Sequence, residues 1–251
     1  MKRIIQVAIS LSAIASPAFA QSEWQAEQAR HYTACMNSAH TRPNAAFDDA
    51  VAWEGLGGGA PARHCALAAL VELGHYFEAA QGLENLAQDA PGGAAFASQI
   101  LVQSANAWIG ADNPTRAREV ANHALKLAPN DSGALLARAK ALGLLGAFWE
   151  AADDLSQILY ADPRAVDALV LRGAAYRQLG AMDLGLDDLN RALTLDPRHP
   201  EGLLERGIAH RLSDNKEAAR ADWRLAVEVD PDSEAARRAT ANLHKLDSGI
   251  E

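Results

Sequence analysis

The sequence repeats itself every 34 residues, and this period constrains the fold more than any other feature. Pro163, Pro197 and Pro231 end the segments LYADP, LTLDP and VEVDP. Pro129 ends the similar segment LKLAP one period earlier. A fixed period of this length indicates stacked copies of one supersecondary unit, because a single copy cannot bury its own apolar face.

Columns of small and large side chains recur at helical spacing within each repeat. The first column is leucine, at Leu101, Leu135, Leu169 and Leu203. The second column is small, at Ala105, Ala139, Gly173 and Gly207, and the third is mostly large, at Trp108, Leu142, Tyr176 and His210. Spacings of three and four residues place these columns on one stripe of a helix, and the prolines stop the second helix of each repeat.

Two segments match a known repeat motif, large-x2-Leu-Gly-x2-Tyr followed by Ala-x3-Phe and a proline, with Arg172 and Arg206 in the place of its leucine. They are LVLRGAAYRQLG at 169–180 and LLERGIAH at 203–210. The chain resembles tetratricopeptide repeat (TPR) proteins, here of an exported bacterial kind. The resemblance implies an all-α fold, a right-handed α-solenoid of stacked helix–turn–helix hairpins with a C-terminal capping helix. It also implies protein–protein interaction as the general role.

The domain organisation follows from the repeat and its boundaries. We predict a signal peptide at 1–20, an N-terminal helix pair with a Gly-rich linker at 21–60, and a degenerate repeat at 61–97. Four repeats follow at 98–131, 132–165, 166–199 and 200–231, and a capping helix with a tail occupies 232–251. The stretch GLGGG at 55–59 is interpreted as a flexible connection, since no Gly-Lys-Ser/Thr follows to form a phosphate loop.

The first twenty residues have the pattern of an export signal. A basic start, MKR, precedes the apolar run IIQVAISLSAIA, and small residues flank Phe19 before a cleavage site ahead of Gln21. The mature protein is therefore expected in the periplasm. Loss of Lys2 and Arg3 reduces the 23 basic residues to 21 against 32 acidic ones, and a net charge of −11 disfavours nucleic acid as a partner. No later apolar run is long enough to span a membrane.

Cys35 and Cys65 are the only two cysteines, and an even count in an exported protein favours a disulfide. Such a bond would close a loop of about 31 residues and stabilise the fold by about 3–4 kcal/mol. Two alternatives stay open at this point, a soft-metal site that combines both cysteines with His31 and His64, and unpaired thiols. We predict the disulfide, and we predict neither a metal nor a cofactor.

No motif of a catalytic site occurs in the sequence. The patterns His-Glu-x-x-His, Gly-x-Ser-x-Gly and Cys-x-x-Cys are absent. Two carboxylate pairs are interpreted as solvent-exposed helix faces, Asp153 with Asp154 and Asp187 with Asp188. Core packing is expected for three tryptophans, Trp108, Trp149 and Trp223. We therefore predict that the chain is not an enzyme.

The first helix of each repeat lines the concave side of such a stack, where we predict a groove for a partner. The predicted groove residues are Val102, Asn106, Leu136, Lys140, Val170, Arg177, Leu204 and Arg211. An apolar stripe bordered by basic side chains suits a peptide or helix with apolar anchors and acidic groups. The two-carboxylate clamp of some chaperone-binding TPR proteins is not supported, because only Asn106 matches it.

These expectations favour a non-catalytic periplasmic scaffold or adaptor that binds a protein or peptide partner. A metal- or redox-responsive protein that uses the N-terminal His and Cys residues is the first alternative. An accessory subunit of an envelope enzyme complex is the second. The sequence leaves the identity of the partner and the oligomeric state unassigned.

Overall fold

Every regular element that the structure describes is a helix. The computed structural model describes residues 17–89 and 93–248, with side chains from residue 25 onward. Its helices are α1 (Pro17–Thr41), α2 (Pro43–Trp53), α3 (Gly59–Glu72), α4 (Tyr76–Gln88), α5 (Gly93–Gly110), α6 (Pro114–Leu127), α7 (Ser132–Leu144), α8 (Phe148–Ala161), α9 (Val166–Gln178), α10 (Met182–Leu195), α11 (Pro200–Leu212), α12 (Lys216–Val229) and α13 (Glu234–Ser248). The predicted all-α fold is confirmed in these ranges.

Part of the predicted organisation lies outside the described residues. The predicted signal peptide lies outside them up to residue 16, and residues 17–20 form the start of α1. The junction at 90–92 and the last part of the predicted tail, 249–251, also lie outside them. None of the described helices is both long enough and apolar enough to cross a membrane.

The chain divides into two compact units, Met1–Leu73 and Gly74–Glu251. In the first unit, α1, α2 and α3 pack on one another. The division falls within 61–97, the segment predicted as a single degenerate repeat, so that α3 belongs to the first unit and α4 to the second. A disulfide between Cys35 on α1 and Cys65 on α3 keeps α3 with the helices that precede it.

The Gly-rich stretch that was predicted as a linker lies between α2 and α3. Residues Glu54–Gly58 form one π-helical turn, and Gly58 is buried. A Cβ atom on Gly58 would lie 2.7 Å from the Trp53 ring, so only glycine allows this close approach. Gly58 therefore belongs to a packed turn between α2 and α3, while Gly55, Gly57 and Gly59 are exposed.

In the second unit, consecutive helices pair as hairpins and stack in chain order. The hairpins are α5–α6, α7–α8, α9–α10 and α11–α12, with α4 packed on α5, and α13 packed on α12 and α11. The leucine column forms the core, where Leu135, Leu169 and Leu203 are at most 4% exposed. The column of small residues lets paired helices touch, since a Cβ atom on Gly207 would collide with the Trp223 indole.

All four hairpins turn through one residue with a positive φ. These residues are Asp112, Gly146, Gly180 and Asp214, spaced by the repeat period, with φ between 54° and 76°. Glycine adopts this left-handed region without strain, and aspartate tolerates it better than most residues. The next residue is the N-cap of the second helix, where Asn113 and Asn215 accept a hydrogen bond from the helix backbone.

Three buried ion pairs, which we name the Arg–Asp ladder, recur at the repeat period. They are Arg138–Asp154, Arg172–Asp188 and Arg206–Asp222. In each pair, Arg Nε and Nη2 donate to the two carboxylate oxygens over 2.6–2.9 Å. Arg Nη1 donates to a side-chain oxygen on the second helix of the preceding repeat, at Asn122, Ser156 or Asn190. The ladder thus connects each hairpin to its neighbour.

Two predictions about individual side chains are wrong. Asp154 and Asp188 are not on a solvated face, because they are 3% and 2% exposed. The ladder arginines supply a fixed counter-charge, which offsets the loss of water around each carboxylate. Trp149 is 64% exposed, whereas Trp108 and Trp223 are buried as predicted. It lies in the first turn of α8, at the end of the hairpin, where packing by neighbouring helices stops.

Candidate partner-binding groove

A cavity of about 490 Å³ opens on the first helices of the central repeats, and we call it the groove. Its walls come from α7, α8, α9 and α11, with one residue each from α5 and α13. The lining is mostly apolar, at Ile109, Ala139, Gly143, Leu144, Phe148, Ala151, Leu155, Leu171, Ala174 and Ala175. A groove of this size accepts a few side chains of a ligand.

Four charged side chains at one side of the groove neutralise one another. Glu205 is 4% exposed and accepts hydrogen bonds from Arg177 Nη2 at 2.7 Å and from Arg238 Nη2 at 3.1 Å. Arg238 Nη1 also donates to Glu201 over 2.9 Å. Burial raises the pKa of Glu201, against the effect of the nearby arginine. Arg177 therefore acts first as an internal counter-charge for Glu205.

Lys140 is the groove cation that no hydrogen bond or ion pair reaches in the described part of the chain. It is half-buried on α7. The nearest effect of its charge is on Asp167. The pKa of Asp167 is lowered mainly by a 3.1 Å hydrogen bond with His199, and Lys140 lowers it further by a smaller amount. The Lys140 ammonium is therefore free to meet an anionic group of a ligand beside the apolar walls.

The structure places the eight predicted groove residues in different surroundings. Lys140 and Arg177 line the groove. Leu136 and Arg211 are half-buried on α7 and α11, outside the lining of the groove. Asn106 is exposed on α5, and its side-chain amide donates to a backbone carbonyl one turn earlier over 3.0 Å.

The column of valines and leucines packs inside the stack. Val170 and Leu204 are 1% and 0% exposed, and Val170 lies against Gly202 on the first helix of the next repeat. Val102 lies against Gly133 of α7 in the same way. Val102 and Val170 fill the contact between successive first helices, so the groove is narrower than the sequence predicts.

Several groove residues were missed because they come from other elements. Phe148 lies on a second helix, and Arg238 lies on the capping helix α13. Glu205 could be recognised in the sequence, since its column holds Gln103, Ala137 and Leu171 in the earlier repeats. A single acidic residue in a column without other charges, on a helix face that packs, indicates a buried carboxylate with a cationic partner.

In the first unit, the two cysteines form the predicted disulfide, Cys35–Cys65. His64 is buried, and its Nδ1 shares a hydrogen bond of 2.7 Å with the Tyr32 hydroxyl. His31 is exposed and stacks on a buried tryptophan ring, with 4.4 Å between the ring centroids. Among the described residues, no group of three or more His, Cys, Asp and Glu side chains is placed to hold a metal.

Comparison with known proteins identifies one repeat and the fold. Residues 166–199 match the Tetratricopeptide repeat family model, over the same span as the third predicted repeat. No curated protein matches the chain in sequence.

Two solved structures are similar to this chain in fold. MamA (41-end) from Desulfovibrio magneticus RS-1 is 21% identical, with a TM-score of 0.57 over 70% of this chain and 97% of that chain. TTC0263, a thermophilic TPR protein in Thermus thermophilus, is 20% identical, with a TM-score of 0.60 over 70% of this chain and 94% of that chain. The chain therefore carries a tetratricopeptide repeat and has the fold of tetratricopeptide repeat proteins.

Proposed function

We propose that the chain is a non-catalytic adaptor that works in the periplasm and holds a peptide segment of a protein partner in the groove. Stacked helical hairpins of this kind present extended concave surfaces that bind other proteins. The observation that carries the proposal is the groove itself, in which apolar walls lie beside Lys140, a cation with no ion pair among the described residues.

The charges of the groove define the chemistry of its ligand. The two arginines and two glutamates of the lining already pair with one another, so a ligand gains little from them. Lys140 lines the same cavity as the apolar side chain of Leu171 on the next first helix. A segment with one or two apolar anchors and a carboxylate fits, because the anchors supply affinity and the charge pair fixes orientation.

The side chains of the groove support binding rather than chemistry. Among the described residues, its lining includes no Ser, Thr, Cys or His to act as a nucleophile or a general base. Its carboxylates, Glu201 and Glu205, both accept hydrogen bonds from arginines. Both carboxylates therefore serve as counter-charges for the arginines of the lining.

Selection from a phage-displayed library of random peptides tests the groove. Peptides are selected on the mature protein and on two variants, Lys140→Glu in the groove and Lys126→Glu at an exposed site on α6. We expect the wild type and the Lys126 control to enrich peptides that combine apolar residues with Asp or Glu. The Lys140 variant is expected to enrich Lys or Arg instead. Identical enrichment on all three proteins, or no enrichment on any, would contradict the proposal.

Export is proposed from the first twenty residues, and a disulfide in the first unit fits an oxidising compartment. Cell fractionation of the full chain with a C-terminal tag tests this part. The expected result is a periplasmic protein whose first residue is Gln21. A cytoplasmic protein that retains its first twenty residues would refute it.

A further inference from the structure

The four hairpin turns share one backbone conformation and differ in their side chains. In each turn, the N–H of the positive-φ residue donates to the carbonyl three residues earlier over 3.0–3.1 Å. The next N–H donates to the carbonyl five residues earlier over 2.8–2.9 Å. The turns can therefore be compared position by position, and a side chain found in only some of them is not required by the fold.

The second and third turns are less polar than the first and fourth. At aligned positions the first and fourth turns read DNPT (112–115) and DNKE (214–217), while the second and third read GAFW (146–149) and GAMD (180–183). Three large apolar side chains are exposed in or beside these two turns and outside the groove lining, Leu145 (38%), Trp149 (64%) and Leu184 (55%), and we name them the turn edge. Among the described residues, the fourth turn exposes one such side chain, Leu212.

The second and third turns also lack a helix cap that the other two have. Asn113 and Asn215 accept hydrogen bonds from the starts of α6 and α12. Ala147 and Ala181 hold the same positions and make no side-chain cap. Because a capping asparagine stabilises a helix start, stability does not explain these alanines or the exposed side chains around them. Large exposed apolar side chains gathered in two successive turns of a stack are typical of interaction surfaces.

The rim of the turn edge is acidic. Glu150, Asp153 and Asp183 are exposed, and no hydrogen bond or ion pair reaches them in the ranges that the structure describes. Arg118 shares a polar cleft with Glu150 and Asp153, so the rim keeps a net negative charge. An indole beside carboxylates attracts Lys or Arg, through the charge and through the face of the ring.

We propose that the turn edge is a second docking surface, which takes a positively charged amphipathic segment of a partner protein. Apolar side chains of that segment cover Leu145, Trp149 and Leu184, and its Lys or Arg residues face the acidic rim. The groove selects an acidic segment, whereas the turn edge selects a basic one. Because the two surfaces select segments of opposite charge, we propose that the chain can hold one of each.

Fluorescence anisotropy of a labelled amphipathic helix made only of Leu and Lys tests the proposal, beside an analogue with Glu in place of Lys. The mature protein should bind the Leu/Lys peptide and not the Leu/Glu analogue. The double variant Leu145→Ser, Trp149→Ser should bind it more than about tenfold more weakly, because central apolar anchors dominate docking. The groove variant Lys140→Glu should bind it as tightly as the wild type.

Matched charge reversals separate the acidic rim from the overall charge of the chain. Glu150→Lys with Asp153→Lys should weaken binding by more than about tenfold, since both carboxylates face the ligand. Asp48→Lys with Asp49→Lys changes the net charge equally at exposed sites in the first unit and should have little effect. The proposal would be overturned if both charge-reversal variants lost affinity for the Leu/Lys peptide equally. It would also be overturned if the wild type bound the Leu/Glu analogue tightly or did not bind the Leu/Lys peptide. Self-association of the wild type that Trp149→Ser abolishes would assign the surface to a second copy and also overturn it.

Discussion

The central pair of the Arg–Asp ladder, Arg172–Asp188, lies where removal of one partner should be most damaging. The side chain of Asp188 is 3% exposed and that of Arg172 is 17% exposed. Replacement of Arg172 by Met removes two charge-assisted hydrogen bonds to the carboxylate and one hydrogen bond to Ser156 of the preceding repeat. The hydrogen bond with Asp188 raises the pKa of Arg172, which fits a strongly coupled pair.

The expected loss in the free energy of unfolding for Arg172→Met is about 3 kcal/mol. Breaking a buried ion pair from one side costs about 3–5 kcal/mol, because it leaves a buried charge without a partner. Arg191 Nη1 stays 3.3 Å from Asp188 and compensates in part, which places the loss at the lower end. The double variant Arg172→Met, Asp188→Leu leaves no buried charge, and it should recover about 2 kcal/mol of the loss.

Urea titration followed by far-ultraviolet circular dichroism measures the free energy of unfolding of the wild type, the single variants Arg172→Met and Asp188→Leu, and the double variant. A chain of this size loses about 2–4 °C in melting temperature per kcal/mol, so Arg172→Met should melt about 6–12 °C lower. Arg164→Met is the control, because Arg164 is exposed and no ion pair of its side chain occurs among the described residues. A loss below about 1 kcal/mol, or a double variant as unstable as the sum of the single ones, would refute the role of the ladder.

Three further predictions concern local features of the fold. Cys35→Ser with Cys65→Ser should destabilise the first unit by about 3–4 kcal/mol, since the disulfide restricts the unfolded chain, and limited proteolysis at rising temperature should detect the loss. Gly207→Ala should lower the free energy of unfolding, measured by urea titration, by about 1–3 kcal/mol, because the new methyl group collides with Trp223. Gly143→Ala should raise it by about 0.5–1 kcal/mol, because Gly143 lies on a helix with open space around it. Ala181→Asn should gain about 0.5–1 kcal/mol, because it adds the cap that Asn215 makes in the next repeat.

Each of these predictions has a contradicting result. Unchanged proteolysis of the serine variant would mean that the first unit does not depend on its disulfide. Equal effects of alanine at Gly207 and Gly143 would mean that close helix contact does not govern the column of small residues. A destabilised Ala181→Asn variant would show that the third turn cannot adopt the capped form of the fourth.

The all-α fold could be predicted because local chemistry repeats with the period. Asp131 caps α7, Pro200 begins α11, and glycine at Gly146 and Gly180 allows the left-handed end of a first helix. Asp112 adopts the same left-handed conformation although it is not glycine. In the sequence, only its alignment with Gly146 and Gly180 at the 34-residue period indicates that conformation. Agreement across columns therefore carries more information than any single residue.

The groove could be predicted only in part, because it depends on how successive repeats rotate. Val170 and Arg177 lie on the same helix, yet Val170 packs against the next repeat while Arg177 lines the groove. Neither the direction of that rotation nor the cross-helix pairing of Arg177 with Glu205 is encoded in one repeat. The exposure of Trp149 was missed for a related reason, since helical periodicity does not say where the neighbouring helices end.

The burial of the ladder implies that salt acts unevenly along the stack. Its pairs join the four hairpins from inside, where dissolved ions screen them weakly. The junction with α4 relies on an ion pair that water reaches, Arg116 with Glu84, whereas α13 is held both by Arg220 with Asp247 and by Arg238 with the buried Glu205. Raising the ionic strength should therefore speed amide hydrogen exchange in α4 while α7 to α11 stay protected, so that the stack frays first from its α4 end.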